Sequence, residues 1–211
     1  VKKRAPKKSP KPAIPGLEGG RYEIRFSGSG GQGIILAAVV LSEACGVLEG
    51  KYVCQSESYG PEARGGYSKA DVVISDHPID YPMAMGPDLL LAMNQKACDI
   101  YFTQLKPDGL LVVDATWVHE IPTARAVALP FTEMARKETG KEITANMVSL
   151  GAVAQLSGIV ALRALRGALA SRVPGEMVDM NTAALNAGIR AARSIDLESL
   201  PTTVVPEEEE V

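Results

Sequence analysis

A chain of 211 residues with 46% hydrophobic and 22% charged side chains can bury one full core and has little length left for a second domain. Three cysteines in no CxxC pair and two histidines cannot supply four thiolates for an iron–sulfur cluster, and they show no zinc-ligand spacing. A formal charge of −3 excludes a generally basic, nucleic-acid-binding body.

The basic charge is gathered at the start. Lys2, Lys3, Arg4, Lys7, Lys8 and Lys11 stand among four prolines with no acid before residue 16, a composition that cannot form a packed core. Residues 1–20 are therefore expected to be a basic, proline-rich disordered arm, and without interleaved aromatics its reading is a solvated tail or docking strap. Residues 198–211 run into Glu207, Glu208, Glu209 and Glu210 and are expected to be an acidic disordered tail, which leaves 21–197 as a single domain. Scattered thiols in odd number, with no signal-peptide pattern, predict a reducing, cytoplasmic setting. Residues 143–162 carry no charge, but Thr144, Asn146, Ser149, Gln155 and Ser157 make them too polar to span a membrane.

In chain order, Tyr22, Ile24 and Phe26 alternate with Glu23 and Arg25, which predicts a first strand from Arg21. Glycines follow at once, and residues 34–44 form an apolar helix closing near Gly46. Strands are expected at 51–55 and 68–75, with 56–66 a loop by composition. Pro78, Pro82 and Pro87 keep the next segment irregular. Then come a buried strand at 88–93, a helix at 95–105, a turn at 106–109 and a buried strand at 110–114. A strand at 125–129, a helix at 131–139, a long helix at 144–165 and a final amphipathic helix at 180–194 complete the reading. Two short, continuous apolar strands mark a sheet covered on both faces. The interval between the second and third strands is too short for a helical crossover. The fold class is therefore α/β: a three-layer α/β/α domain around a mixed, mostly parallel sheet.

Two segments can carry function. Gly28, Gly30, Gly31, Gln32 and Gly33 lie directly after a strand and open a helix, the context in which GxGxxG spacing has meaning. Such glycines allow positive backbone angles and close approach of a ligand or chain, and open N–H groups at the helix start favour an anion. A dinucleotide would also need an acid at the end of the second strand. Glu57 is the nearest candidate and sits past the expected strand end, so tight strand–helix packing or a protein contact stays open beside nucleotide binding. The second segment is Tyr59, Gly60, Pro61, Glu62, Ala63, Arg64, Gly65 and Gly66, a loop shaped to present side chains. Arg64 can grip a carboxylate or phosphate through two parallel hydrogen bonds, or pair with Glu62 and only stabilise the turn. No nucleophile is paired with a base, and His77 beside Pro78 and His119 beside Glu120 read as ordinary loop residues.

Taken together, Gly28–Gly33, the Tyr59–Gly66 run and Val73-Ile74-Ser75-Asp76 with Pro78-Ile79 resemble the gamma subunit of 2-oxoacid:ferredoxin oxidoreductases. The form SYGPEARGG is similar to the subunit of the 2-oxoglutarate enzyme rather than the pyruvate or indolepyruvate types. Asp88-Leu89-Leu90-Leu91-Ala92, Leu105-Lys106-Pro107-Asp108-Gly109 and Asn146-Met147-Val148-Ser149-Leu150-Gly151 extend the likeness over about residues 22–190. The resemblance implies a cytoplasmic complex that oxidatively decarboxylates a 2-oxoacid with coenzyme A and passes electrons to ferredoxin. Alpha, beta and a ferredoxin-like delta subunit are the implied partners, with no nucleic acid and no membrane. Thiamine diphosphate, Mg and the iron–sulfur cluster are implied to belong to those other subunits, and no cofactor to this chain alone. No residue of this chain is then expected to be catalytic; the glycine turn and the Tyr59–Gly66 loop contribute at a subunit interface near the active site. The rival readings are a stand-alone Rossmann-type NAD- or FAD-dependent oxidoreductase and a non-catalytic interaction module.

Overall fold

The first strand, β1 (Arg21–Ser29), alternates apolar and charged residues yet is buried along almost its whole length. In the computed structural model, which describes residues 20–59 and 67–204, it lies inside the sheet with protein on both faces. Tyr22, Ile24 and Phe26 enter the larger core, while Glu23 and Arg25 are only 3% and 2% exposed on the other face. α1 (Ile34–Glu43) follows and ends in a single π turn. Next come β2 (Tyr52–Tyr59), β3 (Tyr67–Ser75), β4 (Leu89–Ala92), α2 (Gln95–Tyr101), β5 (Leu110–Asp114) and β6 (Ala126–Leu129). Four helices complete the described chain: α3 (Phe131–Thr139), α4 (Ala145–Ser157), α5 (Leu162–Arg172) and α6 (Val178–Ala192).

The sheet runs β2-β3-β1-β4-β5-β6. β3 pairs antiparallel with both β1 and β2, and the remaining neighbours are parallel, so the sheet is mixed and mostly parallel as the short β2–β3 interval requires. The three layers are unequal. Residues of α1, α3, α4, α5 and α6 share one core with Ile24, Phe26, Val72, Leu91 and Val112. The opposite face carries α2, whose Ala97, Cys98 and Tyr101 pack with Leu90, Ala92, Leu111 and Val113. Among the described residues no helix is long and apolar enough to cross a membrane.

α4 is buried on nearly every side because it lies under α6. A Cβ at Gly188 would fall on the Val148 carbonyl, and one at Gly151 on the Leu185 carbonyl, so the two backbones touch where side chains are absent. That contact explains an uncharged helix that spans no membrane.

Three boundaries differ most from the sequence reading. The helix expected over 144–165 stops at Ser157, because Gly158 adopts a left-handed φ of 61° and donates its N–H to the Ala154 carbonyl, capping α4. A new helix starts at Leu162. Residues 56–59, taken as loop from their polarity, continue β2; an edge strand can be polar because it faces solvent, and Glu57, Ser58 and Tyr59 keep register with Ala70, Lys69 and Ser68. Residues 198–204, assigned to an acidic tail, lie against the body: Val204 is 4% exposed and donates its N–H to the Pro107 carbonyl at 2.7 Å. The basic arm at 1–19 and residues 205–211 lie outside the described residues.

Candidate functional site at the ends of β1 and β4

β1 leads into α1 on one face of the sheet, whereas its parallel neighbour β4 leads into α2 on the other. The chain therefore parts between their carboxyl ends, and open α/β sheets bind ligands in such a crevice. Here two turns line it, the glycine turn after β1 and residues 93–94 after β4.

Three of the glycines have separate reasons to be there. A Cβ at Gly28 would meet Met93 Cβ at 3.2 Å and Ile34 Cγ2 at 3.3 Å, so β1 and α1 approach too closely for a side chain. Gly31 and Gly33 adopt φ of 91° and 72°, in the left-handed region that L side chains rarely enter. Gly30 meets nothing within 4 Å and has no positive φ.

Gln32 and Asn94 wire the two turns together. Gln32 Oε1 accepts from the Ser29 N–H at 2.6 Å and from Asn94 Nδ2 at 3.2 Å, while its Nε2 donates to the Met93 carbonyl at 3.2 Å. Asn94 also donates to Ser29 Oγ at 2.8 Å and accepts the Ala97 N–H at 2.9 Å, capping α2. From α4, the buried Asn146 donates to the Gly33 carbonyl at 3.1 Å. Neither asparagine is placed at the glycine turn by the sequence, since each meets it from a distant segment; Asn146 is marked there as part of a block of the family likeness. Asn94 just before a predicted helix was the signal available.

Beside the glycine turn is a cleft of about 260 Å³ lined by Gly31, Gln32, Met93, Trp117, Thr132 and Ile143, among others. Trp117 is 46% exposed, and a polar relay holds its ring. Its Nε1 donates to Thr132 Oγ1 at 3.1 Å, and Thr132 Oγ1 donates in turn to Asp114 Oδ2 at 2.6 Å. Asp114 is wholly buried at the end of β5 and also accepts the N–H groups of Thr116 and Thr132. No side chain caps α1, so its first N–H groups can receive a carbonyl or an anionic oxygen next to this cleft.

Glu57 does not complete a dinucleotide site. β3 stands between β2 and β1, and Glu57 aligns with Ala70, which aligns with Phe26, so the acid is two strands, about 10 Å, from the strand that carries the glycines. Of the arginine loop, Gly60, Pro61, Glu62, Arg64, Gly65 and Gly66 lie outside the described residues. Its flanks are described: Tyr59 is 65% exposed at the end of β2, and Tyr67 pairs with Ser29, the last residue of β1.

On the α2 face of these strands Arg25 binds Asp71 through two hydrogen bonds, 2.6 and 2.9 Å, and donates a third to Gln104. Its guanidinium lies 5.3 Å from the centre of the Tyr101 ring, and Lys69 lies 3.3 Å from Asp71 Oδ2. His77 and His119 are exposed loop residues. Burial raises the thiol of Cys45 to about 12 and that of Cys98 to about 11, so both stay protonated at neutral pH. They belong to the cores on opposite faces of the sheet and cannot ligate one cluster. Among the described residues no three His, Cys, Asp or Glu side chains cluster to hold a metal.

Residues 23–191 match the profile of the family described as pyruvate ferredoxin/flavodoxin oxidoreductase. The chain belongs to that family. It is 46% identical over 176 residues to the 2-oxoglutarate synthase subunit KorC of Methanothermobacter thermautotrophicus, covering 80% of this chain and 93% of that one. Among solved structures, the gamma subunit of a keto/oxoacid ferredoxin oxidoreductase from Geobacter sulfurreducens aligns with a TM-score of 0.75 and 44% identity, over 82% of this chain and 99% of that one. The 2-oxoglutarate:ferredoxin oxidoreductase of Magnetococcus marinus, solved with 2-oxoglutarate, coenzyme A and succinyl-CoA, aligns with a TM-score of 0.73 and 25% identity. This chain is 83% covered there but spans 32% of the longer one. The unit thus aligns with nearly the whole of one solved chain and with about a third of another.

Proposed function

We propose that this chain is the gamma subunit of a multisubunit 2-oxoglutarate:ferredoxin oxidoreductase. The complex decarboxylates the 2-oxoacid, joins the acyl group to coenzyme A and passes the released electrons to ferredoxin in the cytoplasm. The observation that carries this reading is the 46% identity to a 2-oxoglutarate synthase subunit over 93% of that subunit's length. The chemistry of the site agrees. Among the described residues, its polar groups spend their hydrogen bonds holding the two turns, and none is a nucleophile next to a free base. Thiamine diphosphate, Mg and the iron–sulfur cluster are then held by the alpha, beta and ferredoxin-like delta subunits. The glycine turn, the Trp117 cleft and the Tyr59–Gly66 loop face those subunits and the path of coenzyme A. A stand-alone NAD or FAD enzyme is disfavoured by the position of Glu57, two strands from β1.

The test is reconstitution with the other subunits and measurement of coenzyme A-dependent ferredoxin reduction. Turnover is expected with 2-oxoglutarate in preference to pyruvate, to require this chain, and to be absent from this chain alone. Tight binding of a dinucleotide by the isolated chain, with no effect on the complex, would overturn the reading.

A further inference from the structure

The loop joining β3 to β4 presents its side chains in an unusual way. Tyr81, Met83 and Met85 are 51%, 55% and 77% exposed, alternate along the chain, and lie in an ordered segment between Pro78 and Pro87. The Tyr81 hydroxyl is 3.8 Å from Met83 Sδ, so the first two form one patch. A solvated loop of this length is ordinarily tipped with small polar residues.

The backbone beneath these side chains is held by charge. Arg21 donates to the carbonyls of Tyr81 and Met83, each at 2.7 Å, and through Nε to Glu23 at 2.6 Å. The buried Glu23 accepts the N–H groups of Met85 and Gly86 at 2.8 and 3.0 Å. One arginine and one glutamate at the start of β1 therefore satisfy the loop from below, and its large apolar side chains point away from the body. Fixing the backbone in advance removes part of the ordering cost that a partner would otherwise meet.

We propose that residues 76–87 form a docking loop that seats Tyr81, Met83 and Met85 in an apolar, basic-rimmed pocket of another subunit of the complex. The inference rests on the reading of this chain as one subunit of several. Tyrosine and methionine are favoured in interface centres and depleted from surfaces that stay wet. The rim identifies the partner's charge: Asp76 and Asp80 are exposed, no lysine or arginine occurs between them or onward to Gly86, and the basic groups beside the loop, Arg21 and Lys106, are paired with Glu23 and Asp88. A second copy docking by the same loop would bring Asp80 against its own equivalent, so like charge disfavours self-association there. The Magnetococcus marinus chain, of which this unit matches 32%, shows that further protein is joined to the same unit in a relative. The loop is at the opposite end of β1 from the glycine turn, about 27 Å away by strand rise, so it is a second surface.

The experiment is a peroxide pulse on the isolated full chain and on the reconstituted complex, with sulfoxide at Met83 and Met85 read by mass spectrometry. Both methionines are expected to oxidise on the order of tenfold more slowly in the complex. Tyr81→Ser, Met83→Ser and Met85→Ser combined should weaken assembly about tenfold or more with the melting temperature of the lone chain unchanged, and Asp80→Lys should weaken it as well. An active complex in which both methionines oxidise as fast as in the free chain overturns the docking loop and leaves the functional reading standing. Concentration-dependent protection in the isolated chain, strengthened by Asp80→Asn, which removes the like charge, overturns the choice of partner. Failure of the wild-type chain to assemble with the other subunits removes the functional reading and this proposal together.

Discussion

Asn94 donates a hydrogen bond to Ser29 Oγ at 2.8 Å, joining the ends of two parallel strands whose helices leave on opposite faces of the sheet. The same asparagine caps α2 through its Oδ1, so one side chain both starts a helix and closes the crevice. Asn94→Ala is expected to cost about 2 kcal/mol, the sum of a lost cap and a lost link. Asn94→Asp keeps the cap acceptor and loses the donor to Ser29 and Gln32, so it should retain most of the stability and still lower turnover of the complex. Urea denaturation of the lone chain beside turnover of the complex separates the two roles; equal stability losses in both variants would contradict the division.

Gly188→Ala should destabilise the chain by about 3 kcal/mol, because the new methyl falls on the Val148 carbonyl and must push α6 off α4. Gly30→Ala, with nothing within 4 Å and no positive φ, should change stability by less than about 1 kcal/mol. Denaturant midpoints of the two variants check both, and similar midpoints would contradict the backbone contact.

Asp71→Ala alone should cost about 4 kcal/mol, since it strands the guanidinium of Arg25, only 2% exposed, without its carboxylate. Arg25→Met combined with Asp71→Leu removes both charges and should recover most of that loss. A double-mutant cycle of Arg25→Met, Asp71→Leu and their combination, measured by thermal unfolding, reads the coupling, and additive losses would show that the pair is not energetically joined.

Burial raises the carboxyl of Asp88 above its ordinary value, against the lowering effects of Lys106 at 2.6 Å and the Glu23 N–H at 2.7 Å. Between the unfolded value and the raised folded value the native state binds more protons than the unfolded chain, so this group's contribution to stability falls as pH rises through that window. Asp88→Asn should remove this falling contribution and make the slope of stability against pH more positive there. An unchanged slope on the acidic limb of the denaturation profile would contradict the assignment.

Arg64 is expected to serve the assembled enzyme rather than the folding of this chain. Arg64→Ala should leave the melting temperature of the lone chain nearly unchanged while costing assembly or turnover about 2 to 5 kcal/mol, the loss of a desolvated charged hydrogen bond. Arg64→Lys keeps the charge without the planar fork and should restore part of the effect. A large fall in melting temperature with normal turnover per complex would make Arg64 a structural residue.

Local signals were enough to mark several elements. β5 at Leu110–Asp114 and α3 at Phe131–Thr139 match the residue pattern at both ends, because a glycine turn or a proline sets each start within the chain itself. The glycine turn, the mixed sheet and the family resemblance were legible for the same reason: each depends on residues near one another in sequence. The long helix failed at Gly158, where composition is as apolar as before and only the left-handed cap decides the break. Ser56–Tyr59 read as loop because polarity cannot distinguish an edge strand from a coil until β3 is beside it.

Tertiary structure alone decided the rest. The alternation of Glu23 and Arg25 with Ile24 and Phe26 suits an exposed face as well as a buried one. Their burial follows from the Arg25–Asp71 pair, from Glu23 fastening residues 85–86, and from the layers above them. Asn94 and Asn146 reach the glycine turn across 65 and 113 residues of chain, and Glu57 lost its place beside β1 because β3 inserted between them. Such contacts depend on strand order and helix packing, which depend in turn on the whole core rather than on any window of sequence.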